Sequence, residues 1–327
     1  MSNLPVLSAS AIQDLDKCSW IYYCKKILKL PDKSNAGASR GSTVHTLFEC
    51  LLNPRHKKHF NTIIKQNGIK KLKVIDRFIK KQIKKYKLEE IDNKDNNNYD
   101  LIEEMILVGL KNDFFVKGAK LEKAEKQFDY TNENPAYRIK GYIDKIAIKK
   151  THAEIYDYKS SEKIYEGEDK ESNIQAQIYN LWFKKVRKLK SKLKFVFLRH
   201  PDNPIQEHEF TDEELDGVEY VLAQTSLYLS DFDIKKAKSN MAAHQPYQKG
   251  FRGPIVCGTA KFPGDLKKDG NPKYFCPFKF AFQYFGLWSK DGELLRTAFK
   301  KEELSPKNEE IILEMSYSGC PCHQNGF

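Results

Sequence analysis

This sequence of 327 residues lacks the features of membrane, secreted and ATP-driven proteins. No apolar run is long enough to span a bilayer, and the opening MSNLPVLSAS lacks the basic segment and apolar stretch of a secretory signal. No Gly-x-x-x-x-Gly-Lys-Ser/Thr motif is present, which excludes a P-loop helicase, and no internal repeat is visible. With a hydrophobic fraction of 40%, we expect a soluble, globular, cytoplasmic protein.

Cysteine is also sparse. The chain has seven cysteines, an odd number in a protein of this size. Such a count does not suggest a disulfide framework and fits a reducing compartment, with the side chains present as thiols or at a metal centre.

Acidic residues are outnumbered, with 44 of them against 56 lysines and arginines, and the net charge is +12. This surplus favours a polyanionic partner, nucleic acid first, although the excess of lysine over arginine is also typical of an AT-rich genome. In 54–90 the lysines form one face of a helical pattern, which is either a solvated surface or an arm over DNA. The opposite, apolar face consists of Val74, Ile75, Phe78, Ile79 and Ile83.

Hydrophobic periodicity predicts an α/β protein. A helical stripe over 7–30 begins with Ser10 and Gln13 at capping-box spacing, and Thr211 with Glu214 starts a helix that runs to about residue 236. Further helices are predicted over 44–52, 54–90, 99–118 and 172–186, and strands over 126–130, 137–148, 153–159 and 193–200. The core order is therefore strand, strand, strand, helix, strand.

One predicted hairpin concentrates charged residues. Alternation along strand 153–159 sends Asp157 and Lys159 to one face and Tyr158 to the other. A short polar link at 149–152 returns the chain, so that Asp144 of the preceding strand can lie beside Asp157. Two adjacent carboxylates repel unless a cation or a shared proton intervenes, and oxygen ligands of this kind suit Mg²⁺ or Mn²⁺.

The order of these motifs resembles that of the PD-(D/E)XK nuclease superfamily, in particular its RecB-like branch. The similar segments are LSASAIQDLDKC, Gly41-Ser-Thr-Val-His45, Gly-Tyr-Ile-Asp144, Asp157-Tyr-Lys159 and Gln175-Ala-Gln-Ile-Tyr179. The resemblance implies a restriction-endonuclease-like αβββαβ core, a mixed sheet flanked by helices, with added N-terminal and C-terminal helical segments. It implies one nuclease domain over 1–327, with a lysine-rich helical insertion at about 54–118 and a cysteine-containing segment at about 240–327.

The resemblance also implies roles for the motif residues. His45, Asp144 and Asp157 would ligate Mg²⁺ or Mn²⁺, with the Tyr158 carbonyl as a further ligand. Lys159 would orient and activate the attacking water. The alternatives from the residues alone are an ordinary helix position for His45 and an edge-strand ion pair for Asp157 and Lys159.

Three further residues belong to the implied site. Glu125, just before the first strand, would hold a second ion. Gln175 and Tyr179, four residues apart on one helix face, would support the site or contact the substrate backbone, and simple packing is their alternative.

The cysteines raise a second metal question. Some RecB-like nucleases hold an iron–sulfur cluster with one cysteine in the opening helix and three near the C-terminus, which Cys18 and Cys276 match in part. The remaining candidates, Cys257, Cys320 and Cys322, depart from the expected spacing. A cluster therefore needs an altered ligand spacing, and zinc or thiols that hold no metal are the alternatives.

These features predict a Mg²⁺- or Mn²⁺-dependent deoxyribonuclease of a bacterium or phage. We expect an exonuclease that acts in DNA recombination, repair, replication or phage DNA processing, on single- or double-stranded DNA. A separate helicase or recombination protein is the expected protein partner. The alternative is a catalytically inactive nucleic-acid-binding protein on the same fold, and an RNA substrate stays open.

Overall fold

A computed structural model describes residues 4–30, 36–92, 97–167, 170, 172–239, 241, 257, 276–281, 286–288, 293–297 and 309–321. The chain divides into two compact units. One comprises Met1–Ala9 and Gly37–Ser230, and the other comprises Ser10–Ala36 and Asp231–Phe327. Within these described ranges, no helix combines the length and apolar character that crossing a membrane requires.

The elements are numbered in chain order. The helices are α1 (Ala9–Lys17), α2 (Ser19–Tyr22), α3 (Ala36–Leu52), α4 (Lys57–Gln66), α5 (Lys73–Lys85), α6 (Asn98–Lys111), α7 (Ile174–Arg187), α8 (Asp212–Leu229), α9 (Ile234–Ser239) and α10 (Glu309–Ser318). A π-helical turn occupies Tyr23–Ile27, and 3₁₀ turns occupy Pro54–His56 and Leu88–Ile91. The strands are β1 (Val6–Leu7), β2 (Leu121–Glu133), β3 (Ala136–Ile148), β4 (Ala153–Lys159), β5 (Ser191–Phe197), β6 (Ile205–His208), β7 (Gly286–Trp288) and β8 (Leu294–Thr297).

The first unit contains a mixed six-stranded sheet in the order β1-β3-β4-β5-β6, with β2 paired to β3 as well. β3 and β4 form an antiparallel hairpin, whereas β4 and β5 are parallel and are joined by α7. A parallel pair requires such a crossover connection. Every residue of β4 from Ala153 to Tyr158 is buried, which is typical of a strand covered on both faces. β4 is therefore the centre of the unit.

The order α3, β2, β3, β4, α7, β5 confirms the predicted αβββαβ core. The bounds of β4 match the predicted strand. β2, however, is much longer than the predicted 126–130, because it pairs with β3 in one register from Leu121↔Ile148 to Glu133↔Ala136. Glu125 consequently lies within β2 and not before it, and its side chain lies outside the described part of the structure.

The single helix predicted over 7–30 is wrong. Val6 and Leu7 form β1, and α1 already begins at Ala9, so Ser10 lies inside the helix and not at its N-cap. Cys18, with φ −171° and ψ 120°, is extended and separates α1 from α2. An extended residue cannot continue an α-helix, which explains the division. The predicted buried stripe nevertheless holds, since Ile12, Leu15, Cys18, Ile21 and Tyr22 are all buried.

Other helical predictions also need correction, among them that over 99–118, since α6 ends at Lys111. α3 begins at Ala36, so that Gly41 and His45 lie well inside it. The 54–90 helix divides into α4 and α5 at Asn67, whose positive φ of 48° ends α4 with a left-handed cap. The helical pattern places Val74 on the apolar face, but it is 70% exposed, whereas the isoleucines of α5 are buried.

The capping box at Thr211 is confirmed, because its side chain accepts from the Glu214 N–H and the Glu214 carboxylate accepts from the Thr211 N–H. The helix it begins ends at Leu229, earlier than predicted. The Ser230 hydroxyl donates to the Leu227 carbonyl, and the Asp233 carboxylate accepts from the Lys236 N–H at the start of α9. Local side-chain hydrogen bonds thus close one helix and open the next.

Candidate active site

β3 and β4 pair only near their hairpin turn. Their ladder runs from Ile148↔Ala153, next to the turn, to Lys145↔Tyr156 and then stops. Asp144 is the first residue of β3 beyond the ladder, and its Oδ2 accepts a hydrogen bond of 2.8 Å from the Tyr158 backbone N–H. The carboxylate thereby satisfies a backbone donor that has lost its partner strand. This fork fixes Asp144 beside the end of β4.

His45 reaches the fork from α3. Its Nδ1 lies 3.1 Å from Asp144 Oδ1, and its ring meets the Tyr158 ring edge to face at 6.3 Å between centroids. Burial lowers the pKa of His45, but the hydrogen bond and charge of Asp144 and the charge of Asp157 outweigh that effect, so the pKa is raised. The negative charges of Asp144 and Asp157 therefore favour the protonated form of His45.

Asp157 and Lys159 contact each other at the end of β4, as the strand alternation predicts. Lys159 Nζ lies 2.8 Å from Asp157 Oδ2, and both side chains are largely covered. Burial raises the pKa of Asp157, the Lys159 ammonium opposes this, and the Asp144 charge adds to it. Burial lowers the pKa of Lys159, but the carboxylates of Asp157 and Asp144 leave it raised. The neighbouring carboxylates thus favour the charged form of Lys159.

Tyr158 points away from this ion pair. Its ring packs against Phe48 at 4.6 Å and Phe114 at 6.5 Å between centroids. The aromatic contacts anchor the end of β4, so that the main chain between Asp157 and Lys159 has little freedom to move.

α7 supplies a hydrogen-bonded support for the ion pair. Asn173 caps the helix by accepting from the Gln175 and Ala176 N–H groups, which fixes its first turn. Gln175 Oε1 accepts from Lys159 Nζ at 2.6 Å, and Gln175 Nε2 donates to Asp157 Oδ1 at 2.8 Å. Gln175 therefore bridges both charged groups.

The same network extends to β3. Gln175 Nε2 lies 3.0 Å from the Tyr179 hydroxyl, which in turn donates to the Tyr142 carbonyl at 2.5 Å. Gly141 permits this approach, because a Cβ there would lie 3.0 Å from the Tyr179 ring and 2.6 Å from Phe128. The two strands and α7 are thus tied together around the ion pair.

A cavity of about 230 Å³ opens beside the fork and is lined by Ser42, His45, Thr46, Phe48, Glu49, Asp144 and Tyr158. Carboxylate oxygens and an imidazole nitrogen are suitable ligands for Mg²⁺ or Mn²⁺. The raised pKa of Asp157, with a second carboxylate nearby, also marks a place where a cation would relieve repulsion. The residues fit a divalent cation by their chemistry, although in the described part of the chain no three acidic, histidine or cysteine side chains are already grouped as metal ligands.

Comparison with known proteins identifies the family. The model of the PD-(D/E)XK nuclease superfamily matches residues 6–258. The chain belongs to the PD-(D/E)XK nuclease superfamily. A crystal structure from Eubacterium rectale, provisionally described as an exonuclease, is similar over 75% of this chain and 90% of its own, with 15% identity and a TM-score of 0.43. No curated protein matches the chain.

Membership of the PD-(D/E)XK nuclease superfamily accounts for the mixed sheet with flanking helices, which is a restriction-endonuclease-like fold. It implies a nucleic acid substrate, and nucleases of this superfamily generally use divalent metal ions. Within the described residues, the fork of β3 and β4 brings together side chains suited to that chemistry.

Sequence reasoning missed one acidic residue of the site. Glu49 lines the same cavity as His45 and Asp144. It lies four residues after His45 on α3, and that spacing places two side chains on the same helix face. This spacing is the sequence signal that could have found it.

The predicted cluster cysteines lie in the second unit. Cys18, Cys276 and Cys320 are buried in one apolar core, with Cys257 packed against it, and Cys322 lies outside the described residues. Cys24, which was not predicted, shares this core, and its pKa is raised well above the ordinary value by burial and then by Cys276 and Cys18. The core gathers the thiols, but the described residues show no three of them grouped as metal ligands, and the cluster stays a prediction.

Proposed function

We propose that this protein is a metal-dependent deoxyribonuclease of the RecB-like branch, which hydrolyses phosphodiester bonds as an exonuclease. The observation that carries the proposal is the meeting of Asp144, Asp157 and Lys159 at one fork, with His45 hydrogen-bonded to Asp144. A buried ion pair of this kind adds little stability compared with apolar packing, and this favours a functional role for these charges.

The chain's own residues have separable roles in this proposal. His45, Asp144 and Asp157 would hold the cation, with the Tyr158 carbonyl and Glu49 as candidate additional ligands, and Glu125 as the predicted holder of a second ion. A divalent cation held there would polarise the phosphate and lower the pKa of a bound water.

Lys159 and Gln175 organise the site. Burial lowers the pKa of Lys159, but the Asp157 carboxylate outweighs this and favours the charged form, which would donate to the oxygen on which negative charge develops. Gln175 holds the carboxylate and the ammonium at a fixed separation through its two hydrogen bonds. Hydrolysis forms a bond from the water oxygen to phosphorus and breaks the bond from phosphorus to the leaving sugar oxygen, which gains a proton as the water loses one.

We further infer a role in DNA recombination, repair, replication or phage DNA processing in the bacterial or infected-cell cytoplasm, beside a separate helicase or recombination protein. A single nuclease domain over 1–327 belongs to the same proposal. The proposal is supported by the resemblance of the motifs to the RecB-like branch and by the net charge of +12.

The deciding experiment is digestion of labelled linear and covalently closed circular DNA with Mg²⁺, with Mn²⁺ and with a chelator. We expect cleavage with either metal, none with the chelator, and linear DNA degraded well ahead of circles. Binding of DNA without cleavage under every metal condition would instead favour the inactive nucleic-acid-binding protein. Equal cleavage of both forms would identify an endonuclease, and cleavage of RNA alone would change the substrate.

A further inference from the structure

Two arginines from different elements converge beside the strand end that carries Lys159. Gly41 of α3 is pressed against the loop after β4, since a Cβ at this glycine would lie 2.5 Å from Ser160 Oγ. Arg40, the preceding residue, is thereby brought to the end of β4. On the other side, the Leu198 N–H donates to the Lys159 carbonyl at 2.8 Å, which brings the adjacent Arg199 to the same place.

Arg40 is held in position by a prepared acceptor. Its Nη1 donates to Asn98 Oδ1 at 2.7 Å. Asn98 is itself fixed, because its Nδ2 donates to the Leu88 carbonyl at 3.0 Å and its N–H donates to the Asp92 carboxylate. A guanidinium has five N–H donors, and this single carboxamide oxygen accepts from one of them. Arg40 is therefore oriented by a neutral group.

The two guanidiniums repel each other. Burial lowers the pKa of Arg40 most, and the Arg199 charge lowers it further. The Glu162 and Asp92 charges raise it. Like charges brought together on partly covered side chains are stabilised when an anion lies between them. The arrangement thus favours a negatively charged occupant.

Glu162 supplies that negative charge in the structure. Its Oε1 lies 3.0 Å from Arg199 Nη2, and its side chain is 77% exposed, whereas that of Arg199 is only 17% exposed. An exposed carboxylate of this kind contributes little binding energy and can leave the arginine at small cost. The Glu162 carbonyl, in contact with His200 Nε2, keeps the main chain in place when the side chain moves.

We infer that Arg40 and Arg199 bind one backbone phosphate of the nucleic acid, next to the phosphate that is cleaved, and that Glu162 occupies this position in the unbound protein. The inference rests on the proposed nuclease function and adds to it a substrate contact outside the acidic site. Arginine is suited to this role, because its planar fork donates two parallel hydrogen bonds to a phosphate. Replacement of Glu162 by a phosphate would give both guanidiniums a shared anion.

The test measures the affinity of the full chain for a fluorescent DNA oligonucleotide by anisotropy, single-stranded and as a duplex, across a salt series in EDTA, so that no cleavage occurs. We expect Arg199→Ala to weaken binding about 10-fold and to reduce the salt slope by about 1. Arg40→Lys, which keeps the charge but loses the fork, should weaken binding by a smaller factor. Glu162→Ala, an exposed change that does not threaten folding, should strengthen binding about 3-fold.

Arg138→Ala is the matched control. Arg138 pairs with Asp129 at 2.7 Å and lies six residues before Asp144, about 20 Å away along β3. Removal of this arginine should leave the DNA affinity unchanged. Thermal unfolding of every variant separates lost binding from lost folding.

Equal affinity and salt slope for the parent, Arg199→Ala and Glu162→Ala would overturn the phosphate site. The proposed nuclease function is read separately from cleavage by the parent protein with Mg²⁺ or Mn²⁺. A parent that cleaves DNA while the variants bind alike keeps the function and loses this site. A parent that neither binds nor cleaves nucleic acid would refute both.

Discussion

The Asp144 carboxylate accepts a 2.8 Å hydrogen bond from the Tyr158 backbone N–H at the point where β3 and β4 separate. One residue therefore has two tasks. It completes the main-chain hydrogen bonding of a central strand, and its other oxygen, 3.1 Å from His45 Nδ1, belongs to the candidate active site. The choice of substitution at Asp144 can therefore separate loss of the hydrogen bond from loss of the charge.

Asp144→Asn should abolish cleavage and keep the fold. The carboxamide oxygen still accepts from the Tyr158 N–H, but the charge that attracts a cation is lost, and we expect the rate to fall at least about 100-fold. Asp144→Ala should in addition lower the free energy of unfolding by about 1–3 kcal/mol, because a backbone donor is left without its acceptor. Urea denaturation and DNA digestion of both variants check the two effects. Full activity of Asp144→Asn would locate the metal elsewhere.

Lys159→Met should abolish cleavage but leave a folded protein, which is destabilised because Asp157 stays buried without its cationic partner. The methionine keeps the packing of the aliphatic stem near Phe195, whose ring centroid lies 4.9 Å from Lys159 Nζ, but removes the ammonium. Single-turnover digestion is the measurement. Metal binding, followed by calorimetry, should persist in this variant because the carboxylates are intact. Unchanged turnover would show that Asp157 and Lys159 form an ion pair with a structural role only.

His45→Ala should weaken Mn²⁺ binding about 10-fold or more, because one ligand is lost, and high Mn²⁺ should partly restore cleavage. Glu49→Gln should also weaken Mn²⁺ binding, since Glu49 lines the same cavity. Isothermal titration calorimetry of the metal in the absence of DNA checks both. The control is Glu213→Gln, an exposed acid in the first turn of α8 that should bind Mn²⁺ like the parent. Identical titrations for His45→Ala and the parent would make His45 an ordinary helix residue.

Glu154 should stabilise the fold above about pH 4.5 and cease to do so at lower pH. Burial raises its pKa, but hydrogen bonds from Lys149 and Tyr156 and the charge of Lys194 lower it from 4.5 to about 2. Because the folded-state pKa is depressed, this stabilisation is lost as the pH falls from about 4.5 towards 2. Glu154→Gln should therefore cost about 2–4 kcal/mol of unfolding free energy at pH 7, and less towards pH 2.

Denaturant titrations of Glu154→Gln at several pH values measure this change. Glu207→Gln, at a residue that is 45% exposed and paired with Lys192, is the matched control and should cost at most about 1 kcal/mol. DNA cleavage at neutral pH should survive in folded Glu154→Gln. A stability difference between Glu154→Gln and the parent that does not vary with pH would contradict the prediction.

The four buried cysteines described in the second unit should resist alkylation in the native protein. Cys50 is exposed, whereas Cys18, Cys24, Cys276 and Cys320 are at most 8% exposed. Burial raises the pKa of Cys24 in particular, which keeps the thiol protonated and unreactive. Iodoacetamide followed by peptide mass spectrometry should modify Cys50 first and the buried thiols only in urea. Rapid native labelling of Cys24 would contradict this, and iron analysis of the same sample tests the cluster separately.

Some of the site was determined by the sequence itself. The two-residue period of a strand sends Asp157 and Lys159 to one side and Tyr158 to the other, and the polar link at 149–152 closes the hairpin. The capping box at Thr211 and Glu214 is equally local. These features could be predicted because each depends on residues that are neighbours in the chain.

Other features were decided only by the tertiary structure. His45 and Asp144 are 99 residues apart, and α3 must pack against the fork before they meet. The ladder between β3 and β4 stops before Asp144 although the sequence pattern continues, and β2 extends to Glu133 because its partner strand does. Arg40 and Arg199 converge through the contacts of Gly41 with Ser160 and of Leu198 with Lys159. Periodicity fixes the face of a strand on which a residue lies, but only packing between distant segments determines which strands pair, where they separate and which charges meet.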